Sequence, residues 1–372
     1  MRGSMKAIAL VPHTKNVQLV DWPEPKIETP TQVKMKVLQV GICGTDREEV
    51  SGGRADAPHG EHQLVIGHEV LAEVNQVGTN VKSVKPKDLV VIMVRRPCNV
   101  CEMCKKGCSD MCQSGLYTER GIKERHGYDA EYVVEEEKYL IKVPSSLRNL
   151  AVLTEPTTVV EKAIDHACRL QVARLPIDPD PKKWLNGKLA LVAGLGPIGL
   201  LAAMVLRLRG ARVIGIDIVD EHSLRPKILE AMGGKYLHGC NDCWKNAKKT
   251  LGQVDLIVEA AGIPQLDFEL MNVLGTNGVY VLTGVPADGP PLNVDGGTMM
   301  RQLVLENQIV FGSVNAGVAH FKQAVADLEE ARTKWPGAAE QLITSKTRFT
   351  DFADVLTKRK KDEIKAVIEW SA

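Results

Sequence analysis

The sequence is short of aromatic residues, of net charge and of long apolar runs. Phe, Trp and Tyr make up 4% of the 372 residues, and 47 Lys and Arg nearly balance 46 Asp and Glu. This balance leaves no electrostatic footprint for a nucleic-acid or an anionic-membrane partner. No apolar run approaches the roughly 20 residues of a membrane span, and the N-terminus lacks the layout of a secretory signal. We therefore expect a cytoplasmic protein with a compact or neutral small-molecule partner, and neither a nucleic-acid nor a membrane partner.

The first third of the chain is rich in short β-like runs. A chain of this length exceeds what one hydrophobic core usually serves, so two domains are expected. The N-terminal runs are punctuated by Gly, Pro, Asp and Asn, which predicts a β-rich unit. The predicted strands cover residues 6–10, 33–40, 70–77, 89–94 and 130–134. Residues 1–4, ahead of Met5, are typical of a vector-derived scar and are left out of the fold argument.

The pattern changes near Ala151, where an apolar helical repeat begins, followed by a Pro-rich surface stretch at 175–183. Strands and helices then alternate, which predicts an α/β unit with a doubly wound parallel sheet. The predicted strands are 189–193, 212–217, 256–260 and 278–282, and the predicted helices are 197–209, 225–232, 265–273 and 321–333. A last strand, at 364–370, is expected to return to the N-terminal unit, so the α/β unit would be an insertion.

A glycine-rich turn follows the apolar strand 189–193. It reads Gly194-Leu-Gly196-Pro197-Ile198-Gly199 and opens a predicted helix. The first Gly permits the tight turn, the second lets the backbone approach a pyrophosphate, and the third lets helix and strand pack closely. Pro197 suits the first helical turn. The motif in this context predicts a dinucleotide site.

The next predicted strand ends at Asp217, about twenty residues further on. A carboxylate there would accept hydrogen bonds from the adenosine ribose hydroxyls and would repel a 2′-phosphate. Because Ile218 and Val219 follow in place of an Arg pair, we favour NAD over NADP. The alternative is that Asp217 is an acidic N-cap for the next helix.

Five of the nine cysteines fall within residues 98–112. The spacing of Cys98, Cys101, Cys104 and Cys112 predicts a closed tetrahedral zinc site of structural role. Cys108 is a spare thiol or a poorer competing ligand. The Cys240 and Cys243 pair is interpreted as structural or fortuitous, and Cys168 as a core residue.

A second group of potential ligands precedes the cysteine loop. Cys43-Gly44-Thr45-Asp46 and Gly67-His68-Glu69 each end a β-like run. Their order before the loop, completed by Glu155-Pro156, resembles that of the medium-chain zinc dehydrogenases. Three or four such ligands leave room for a water or a substrate oxygen, as a catalytic zinc requires.

The resemblance narrows to the archaeal-type glucose dehydrogenases and covers nearly the whole chain from Met5. The motifs that carry it include 94–97, 118–122, 126–128, 137–140, 155–156, 161–162, 277–278 and 312–315. It implies a GroES-like catalytic domain at 5–156 and 317–372 and a Rossmann domain at 157–316. The catalytic zinc would bind Cys43, His68 and Glu155, with Glu69 as a ligand or a nearby carboxylate. The sugar hydroxyls would contact Glu119, Glu155 and Asn315.

The resulting hypothesis is an aldose 1-dehydrogenase with zinc as Lewis acid and NAD as hydride acceptor, forming a lactone. Thr45 could relay the alcohol proton. Asp46 is either a supporting group, with Lys365 as its partner, or an ordinary surface charge. The alternatives are a zinc dehydrogenase of another polyol or secondary alcohol, and a non-catalytic nicotinamide-binding protein, which should have lost ligands present here. The family suggests a homo-oligomer, a dimer or a tetramer.

Overall fold

The computed structural model describes residues 3–239, 251–287 and 289–371. These residues form two compact units. The first comprises residues 1–155, 317–329 and 343–372, and the second comprises 156–316 and 330–342. The predicted Cys240 and Cys243 pair lies outside the described residues.

The first unit is built mainly of antiparallel sheets. Its first eleven strands are Ser4–Leu10 (β1), Val17–Pro23 (β2), Gln32–Ile42 (β3), Leu64–Val65 (β4), Glu69–Val77 (β5), Leu89–Ile92 (β6), Arg95–Arg96 (β7), Thr118–Arg120 (β8), Glu124–Arg125 (β9), Tyr132–Glu136 (β10) and Leu140–Val143 (β11). Its first two helices are Gly44–Val50 (α1) and Glu102–Lys105 (α2). Alternate residues of β3 and β5 face a buried core that includes Met35, Val37, Val70 and Ala72. The short β-like runs of the sequence therefore form the β-rich unit that was expected.

The end of the chain returns to this sheet. The first unit also contains Ile343–Arg348 (β18), Phe352–Thr357 (α9) and Lys365–Glu369 (β19). Strand β19 pairs with β3 in antiparallel fashion, with Ala366 opposite Ile42. The large sheet has the strand order β11-β6-β5-β3-β19-β18, with β10 also paired to β3. The predicted return of the last strand is therefore confirmed.

The second unit holds a six-stranded parallel sheet. Its strands are Leu189–Ala193 (β12), Arg212–Asp217 (β13), Lys235–His238 (β14), Val254–Glu259 (β15), Leu274–Leu282 (β16) and Ile309–Gly312 (β17). The order β14-β13-β12-β15-β16-β17 corresponds to the 3-2-1-4-5-6 order of dinucleotide-binding folds. The central strand β12 is buried along its whole length, as expected for a parallel strand covered on both faces.

Helices connect these strands, as the alternation predicted. They are Pro197–Leu208 (α4), Leu224–Ala231 (α5), Pro264–Met271 (α6) and Gly296–Leu305 (α7). Two longer helices are Thr154–Arg174 (α3) and Val318–Lys334 (α8). Single 3-10 turns lie at Ser109–Met111, Glu137–Tyr139, Ser145–Leu147, Ala151–Leu153, Pro181–Lys183, Glu340–Leu342 and Phe349–Asp351. Within the described residues, no helix combines the length and the apolar character that crossing a membrane requires.

The unit boundary differs from the predicted domains at residues 330–342. The sequence argument assigned all of 317–372 to the catalytic domain, whereas residues 330–342 cluster with the nucleotide-type sheet. Helix α8 has 17 residues and is therefore about 25 Å long, so its two ends can belong to different units. Residue 156 also lies in the second unit rather than the first.

Candidate metal and nucleotide sites

Cys43, His68 and Glu69 come together because two adjacent strands end side by side. Gly41, near the end of β3, pairs with Glu69 at the start of β5. Cys43 therefore follows one strand where His68 precedes the other. One ligand atom from each of Cys43, His68 and Glu69 lies within 4.8 Å of the others. Thiolate, imidazole and carboxylate are the donors that zinc prefers, so this group fits the metal.

Asp46 supports this group through its position in α1. Its Oδ2 accepts the backbone N–H of Cys43 at 2.6 Å, and its Oδ1 lies 3.2 Å from Nδ1 of His68. Although burial opposes both charges, each partner moves the other's pKa toward the charged pair: His68 lowers the pKa of Asp46, and Asp46 raises the pKa of His68. With Nδ1 held by Asp46, the Nε2 atom of His68 is the ring nitrogen left for a metal. Lys365, the suggested partner of Asp46, also lowers the pKa of Asp46, but its ion pair is with Glu69.

Lys365 instead binds Glu69. Its Nζ donates to Oε1 and Oε2 of Glu69 at 2.6 and 2.7 Å, and to the carbonyl oxygen of Ile42 at 3.2 Å. Both side chains of the ion pair are about 1–2% exposed. A Cβ on Gly41 would lie 2.2 Å from Oε2 of Glu69, which explains the glycine opposite it. The carboxylate of Glu69 is therefore shared between the ligand group and a buried lysine.

Glu155 and Thr45 lie close to the same group. Burial and the carboxylate of Glu69 raise the pKa of Glu155 to about 7, against the opposing influence of His68. The Glu155 carboxylate is outside the tight group formed by Cys43, His68 and Glu69. The hydroxyl oxygen of Thr45 is 3.9 Å from Sγ of Cys43. Their predicted roles as ligand and proton relay stay predictions.

Glu49, on the next turn of α1, was missed by the sequence analysis. Its side chain is fully buried, and neither carboxylate oxygen has a hydrogen-bond partner among the described residues. Burial, with Asp46 nearby, raises the pKa of Glu49 to about 10. The sequence signal that could have found Glu49 is helix periodicity. It lies three positions after Asp46 and therefore on the same, inner face of α1.

Replacing Glu49 with Leu is expected to stabilise the protein. A carboxyl with a raised pKa contributes stability below its unfolded pKa near 4.5, and this contribution is lost as the pH rises toward 10. Removing a buried polar group without partners should raise the free energy of unfolding at pH 8 by about 1–3 kcal/mol, and by less at pH 5. Urea denaturation at both pH values measures the difference. Glu48→Leu, on the exposed side of the same helix, is the control, and an unchanged or lowered stability of Glu49→Leu at pH 8 would contradict the argument.

The four predicted structural ligands form a second metal group. The sulfurs of Cys98, Cys101, Cys104 and Cys112 all lie within 4.8 Å of one another, and Sγ of Cys101 is 3.9 Å from Sγ of Cys112. Tetrahedral thiolates at a Zn–S distance of about 2.3 Å would stand about 3.8 Å apart. The Ser114 hydroxyl and the backbone lower the pKa of Cys98 to about 5, which favours its thiolate. The group fits a closed zinc site.

The remaining described cysteines lie outside both groups. Cys108 is exposed, and Cys168 is buried in α3. Burial raises the pKa of Cys168 to about 12, as is usual for an inert core thiol.

The glycine-rich turn has the geometry that a dinucleotide needs. Gly194 has a φ of +85°, and a Cβ on it would lie 2.8 Å from the Ala261 nitrogen. A Cβ on Gly199 would lie 1.7 Å from the Gly194 carbonyl oxygen. A Cβ on Gly196 would meet nothing within 4 Å, so open space lies where a pyrophosphate would approach. Pro197 and Ile198 begin α4, whose free N–H groups favour an anion.

A cavity of about 530 Å³ continues from this turn past the end of β13. Gly194, Asp217 and apolar side chains such as Ile216, Ile263 and Leu266 line it. Asp217 Oδ2 accepts the N–H of Leu195 at 2.8 Å and lies 3.2 Å from an Arg225 nitrogen. Arg225 was missed because it lies eight residues after Asp217, beyond the turn where a phosphate-binding Arg was sought.

Two of the three residues predicted to contact sugar hydroxyls have other contacts. Glu119, in β8, is ion-paired at 2.9 Å to the buried Arg95. Asn315, in the second unit, has a φ of 58°, and its side-chain oxygen accepts the N–H of Ala316. Neither contact tests the sugar role, which stays a prediction.

Comparison with known proteins gives concordant matches. The family model described as the glucose dehydrogenase C-terminus matches residues 148–370, and that of the alcohol dehydrogenase GroES-like domain matches 29–145. Glucose 1-dehydrogenase 2 of Vulcanisaeta moutnovskia is 39% identical, over 98% of this chain and 99% of that protein. Glucose 1-dehydrogenase of Thermoproteus tenax is also 39% identical, with the same coverage.

A solved structure agrees over the full length. Haloferax mediterranei glucose dehydrogenase, in complex with NADP, Zn and gluconolactone, matches with a TM-score of 0.87 and 32% identity, covering 99% of this chain and 100% of that chain. The α/β fold with a GroES-like domain and a parallel nucleotide-type sheet is thereby confirmed, as is the resemblance carried by the motifs. The chain belongs to the archaeal-type glucose dehydrogenases of the medium-chain dehydrogenase superfamily.

Proposed function

We propose that this protein is a zinc-dependent, NAD(P)-linked dehydrogenase that oxidises the C1 hydroxyl of glucose or a related aldose to the lactone. The convergence of Cys43, His68 and Glu69 within 4.8 Å is the observation that carries the proposal. The substrate class is supported by the relatives named glucose 1-dehydrogenase and by the gluconolactone bound to the Haloferax mediterranei enzyme.

The residues around the ligand group have two roles, metal binding and orientation of the metal ligands. Cys43, His68 and Glu155 would hold the catalytic zinc, with Glu69 as a further or exchanging ligand. When bound, zinc supplies Lewis acidity that lowers the pKa of a sugar hydroxyl. Asp46 fixes the ring of His68, and Lys365 fixes the carboxylate of Glu69, so both side chains are oriented before substrate binds.

The proton and the hydride leave the sugar by different routes. The Thr45 hydroxyl is within reach of the thiol of Cys43 and would take the proton from the C1 hydroxyl toward solvent. When bound, the nicotinamide of the dinucleotide would supply the acceptor for the hydride from C1. Glu119, Glu155 and Asn315 would hydrogen-bond the remaining sugar hydroxyls.

A substrate panel tests the proposal. Zinc-loaded protein is mixed with NAD and with aldoses, polyols or simple secondary alcohols, and NADH formation is followed spectrophotometrically. The highest kcat/KM is expected for an aldose, with the lactone as the product identified by NMR. If only polyols are turned over, the substrate is a polyol and not an aldose. If no compound is turned over, the result favours a non-catalytic nicotinamide-binding protein.

We propose further that the enzyme prefers NAD. Asp217 lies at the end of β13, in the wall of the cavity beside the glycine turn, where its carboxylate would bind ribose hydroxyls and repel a 2′-phosphate. Arg225 offsets part of this charge, so use of NADP at reduced efficiency is expected. The NADP in the Haloferax mediterranei enzyme belongs to that protein and makes the preference worth measuring.

Asp217→Asn is expected to lower the ratio of kcat/KM for NAD to that for NADP by about tenfold, because a like-charge contact costs upwards of about 1.4 kcal/mol. Both constants are measured by initial rates at saturating sugar. Glu230→Gln, an exposed change on the same helix as Arg225, is the control. A wild-type enzyme with higher kcat/KM for NADP would refute the preference.

A homo-oligomer and a cytoplasmic location complete the proposal. None of the described cysteines forms a disulfide bond, which agrees with a reducing compartment. Light scattering of the purified protein would distinguish a monomer from a dimer or a tetramer.

A further inference from the structure

A polar cavity in the first unit is not used by the proposed reaction. Its volume is about 400 Å³, and it lies between β8, β9 and β10. Among its lining residues are four cationic side chains, Arg96, Arg120, Arg125 and Lys138, and two anionic ones, Glu135 and Glu136. Four positive and two negative charges leave a net charge of +2 around this space.

Two of the arginines share one carboxylate. The guanidinium groups of Arg96 and Arg120 both donate to the same oxygen, Oε2, of Glu135. These arginines lower the pKa of Glu135 to about 2 despite its burial, so it carries a full negative charge. The remaining N–H groups of Arg120 donate to the carbonyl oxygens of His126 and Val134. One carboxylate therefore serves two arginines, and both are held rigidly.

Arg125 is different. Its Nε donates to the Thr118 hydroxyl at 3.2 Å, and among the described residues no carboxylate lies within ion-pair distance of its guanidinium. The side chain is half-buried, and burial together with the charge of Arg120 lowers the pKa of Arg125. A guanidinium partly removed from water, beside like charges, is held at an electrostatic cost that an anion would relieve.

The second cation without an ion-pair partner in this part of the described chain is Lys138. It is exposed at the rim, and its Nζ lies 5.1 Å from the centre of the Tyr139 ring. The other carboxylate, Glu136, accepts hydrogen bonds from the hydroxyls of Thr29 and Thr31 and does not neutralise either cation.

We propose that this cavity binds a phosphate-type oxyanion, inorganic phosphate or a phosphate monoester, between Arg125 and Lys138. The planar fork of Arg125 matches two oxygens of such a group, and Lys138 contributes a mobile second charge. A phosphate near its dianionic form balances the net charge of +2, whereas a singly charged carboxylate would leave a net charge of +1 in the cavity. The cavity also contains Asn99 of the cysteine loop, so the bound anion would contact the segment that holds the structural metal.

The test uses zinc-loaded enzyme saturated with NADH, so that the dinucleotide site is filled and cannot bind the added phosphate. Isothermal titration with potassium phosphate, against potassium chloride at equal ionic strength, is expected to show saturable binding. Arg125→Gln should weaken it by about tenfold or more, and Lys138→Gln by a few-fold. Arg148→Gln, an exposed arginine elsewhere in the same unit, should leave it unchanged.

A parallel titration with glycerol phosphate identifies the source of the anion. Tighter binding of the monoester indicates a phosphorylated metabolite, and equal binding indicates free phosphate; both support the site. If Arg125→Gln fails to fold by circular dichroism, the affinity of the exposed Lys138→Gln variant decides. The proposal is overturned if phosphate binds no better than chloride, or if the folded variants bind it as the wild type does. It is also overturned if Arg125→Gln releases zinc without changing phosphate affinity, because the cluster would then be a counter-charge for the thiolates.

Discussion

Cys43→Ala is expected to remove sugar oxidation and leave dinucleotide binding nearly intact. The substitution deletes one donor of the Cys43, His68 and Glu69 group, whereas the glycine turn belongs to the other unit. Loss of a Lewis acid that contributes several kcal/mol should lower turnover by roughly a thousandfold or more. Initial rates measure turnover, NADH fluorescence measures binding, and elemental analysis should find one equivalent of zinc fewer per chain.

The matched control is Cys108→Ala. Cys108 is an exposed cysteine outside both metal groups, so its removal should change neither the zinc content nor the rate. His68→Ala should behave as Cys43→Ala does. Wild-type turnover in either ligand variant would contradict a catalytic role for zinc. Loss of NADH binding would mean that the substitution had disturbed the dinucleotide site as well as the metal site.

Lys365→Met is expected to destabilise the protein by about 3–5 kcal/mol, because it leaves Glu69 buried without its cation. Glu69 is 1% exposed, and both of its oxygens accept from Lys365. Urea denaturation at pH 7 measures the free energy of unfolding.

The double variant Glu69→Gln/Lys365→Met distinguishes the effect of the ion pair on stability from the effect of the lysine alone. Removing both charges should recover most of the stability lost in the single variant, because no uncompensated ion is left. If the double variant is as unstable as Lys365→Met alone, the lysine acts through its contact with the Ile42 carbonyl. A single variant that loses less than about 1 kcal/mol would show that the ion pair adds little.

Features carried by short stretches of sequence could be predicted. Strands Leu189–Ala193 and Arg212–Asp217 have the bounds that the sequence indicated. The first is buried at every residue, and a fully buried parallel strand requires an uninterrupted apolar segment. The four-cysteine group also follows from local spacing, since one loop supplies every ligand. The glycine turn is similar, because the three glycines act through a turn of six residues.

Contacts between distant segments could not be derived in this way. Nothing near Glu69 in sequence indicates its ion pair with Lys365. The contact of Asp46 with His68 was not predicted because it depends on the register of β3 against β5. Glu49 is polar and was therefore not sought in a buried position. Long-range pairing and burial are set by the tertiary fold, which overrides local pattern.

The return of β19 to β3 has a consequence for synthesis. Ala366 and Ile42 are paired, so the central sheet of the first unit stays open until residues 365–369 have left the ribosome. The six strands of the second unit are all made before then, and that unit can fold first. Lys365 lies on the late strand, so until it arrives Glu69 lacks the lysine that binds both of its oxygens. The metal-binding group would therefore reach its final arrangement last, so metal binding would depend on completion of this sheet.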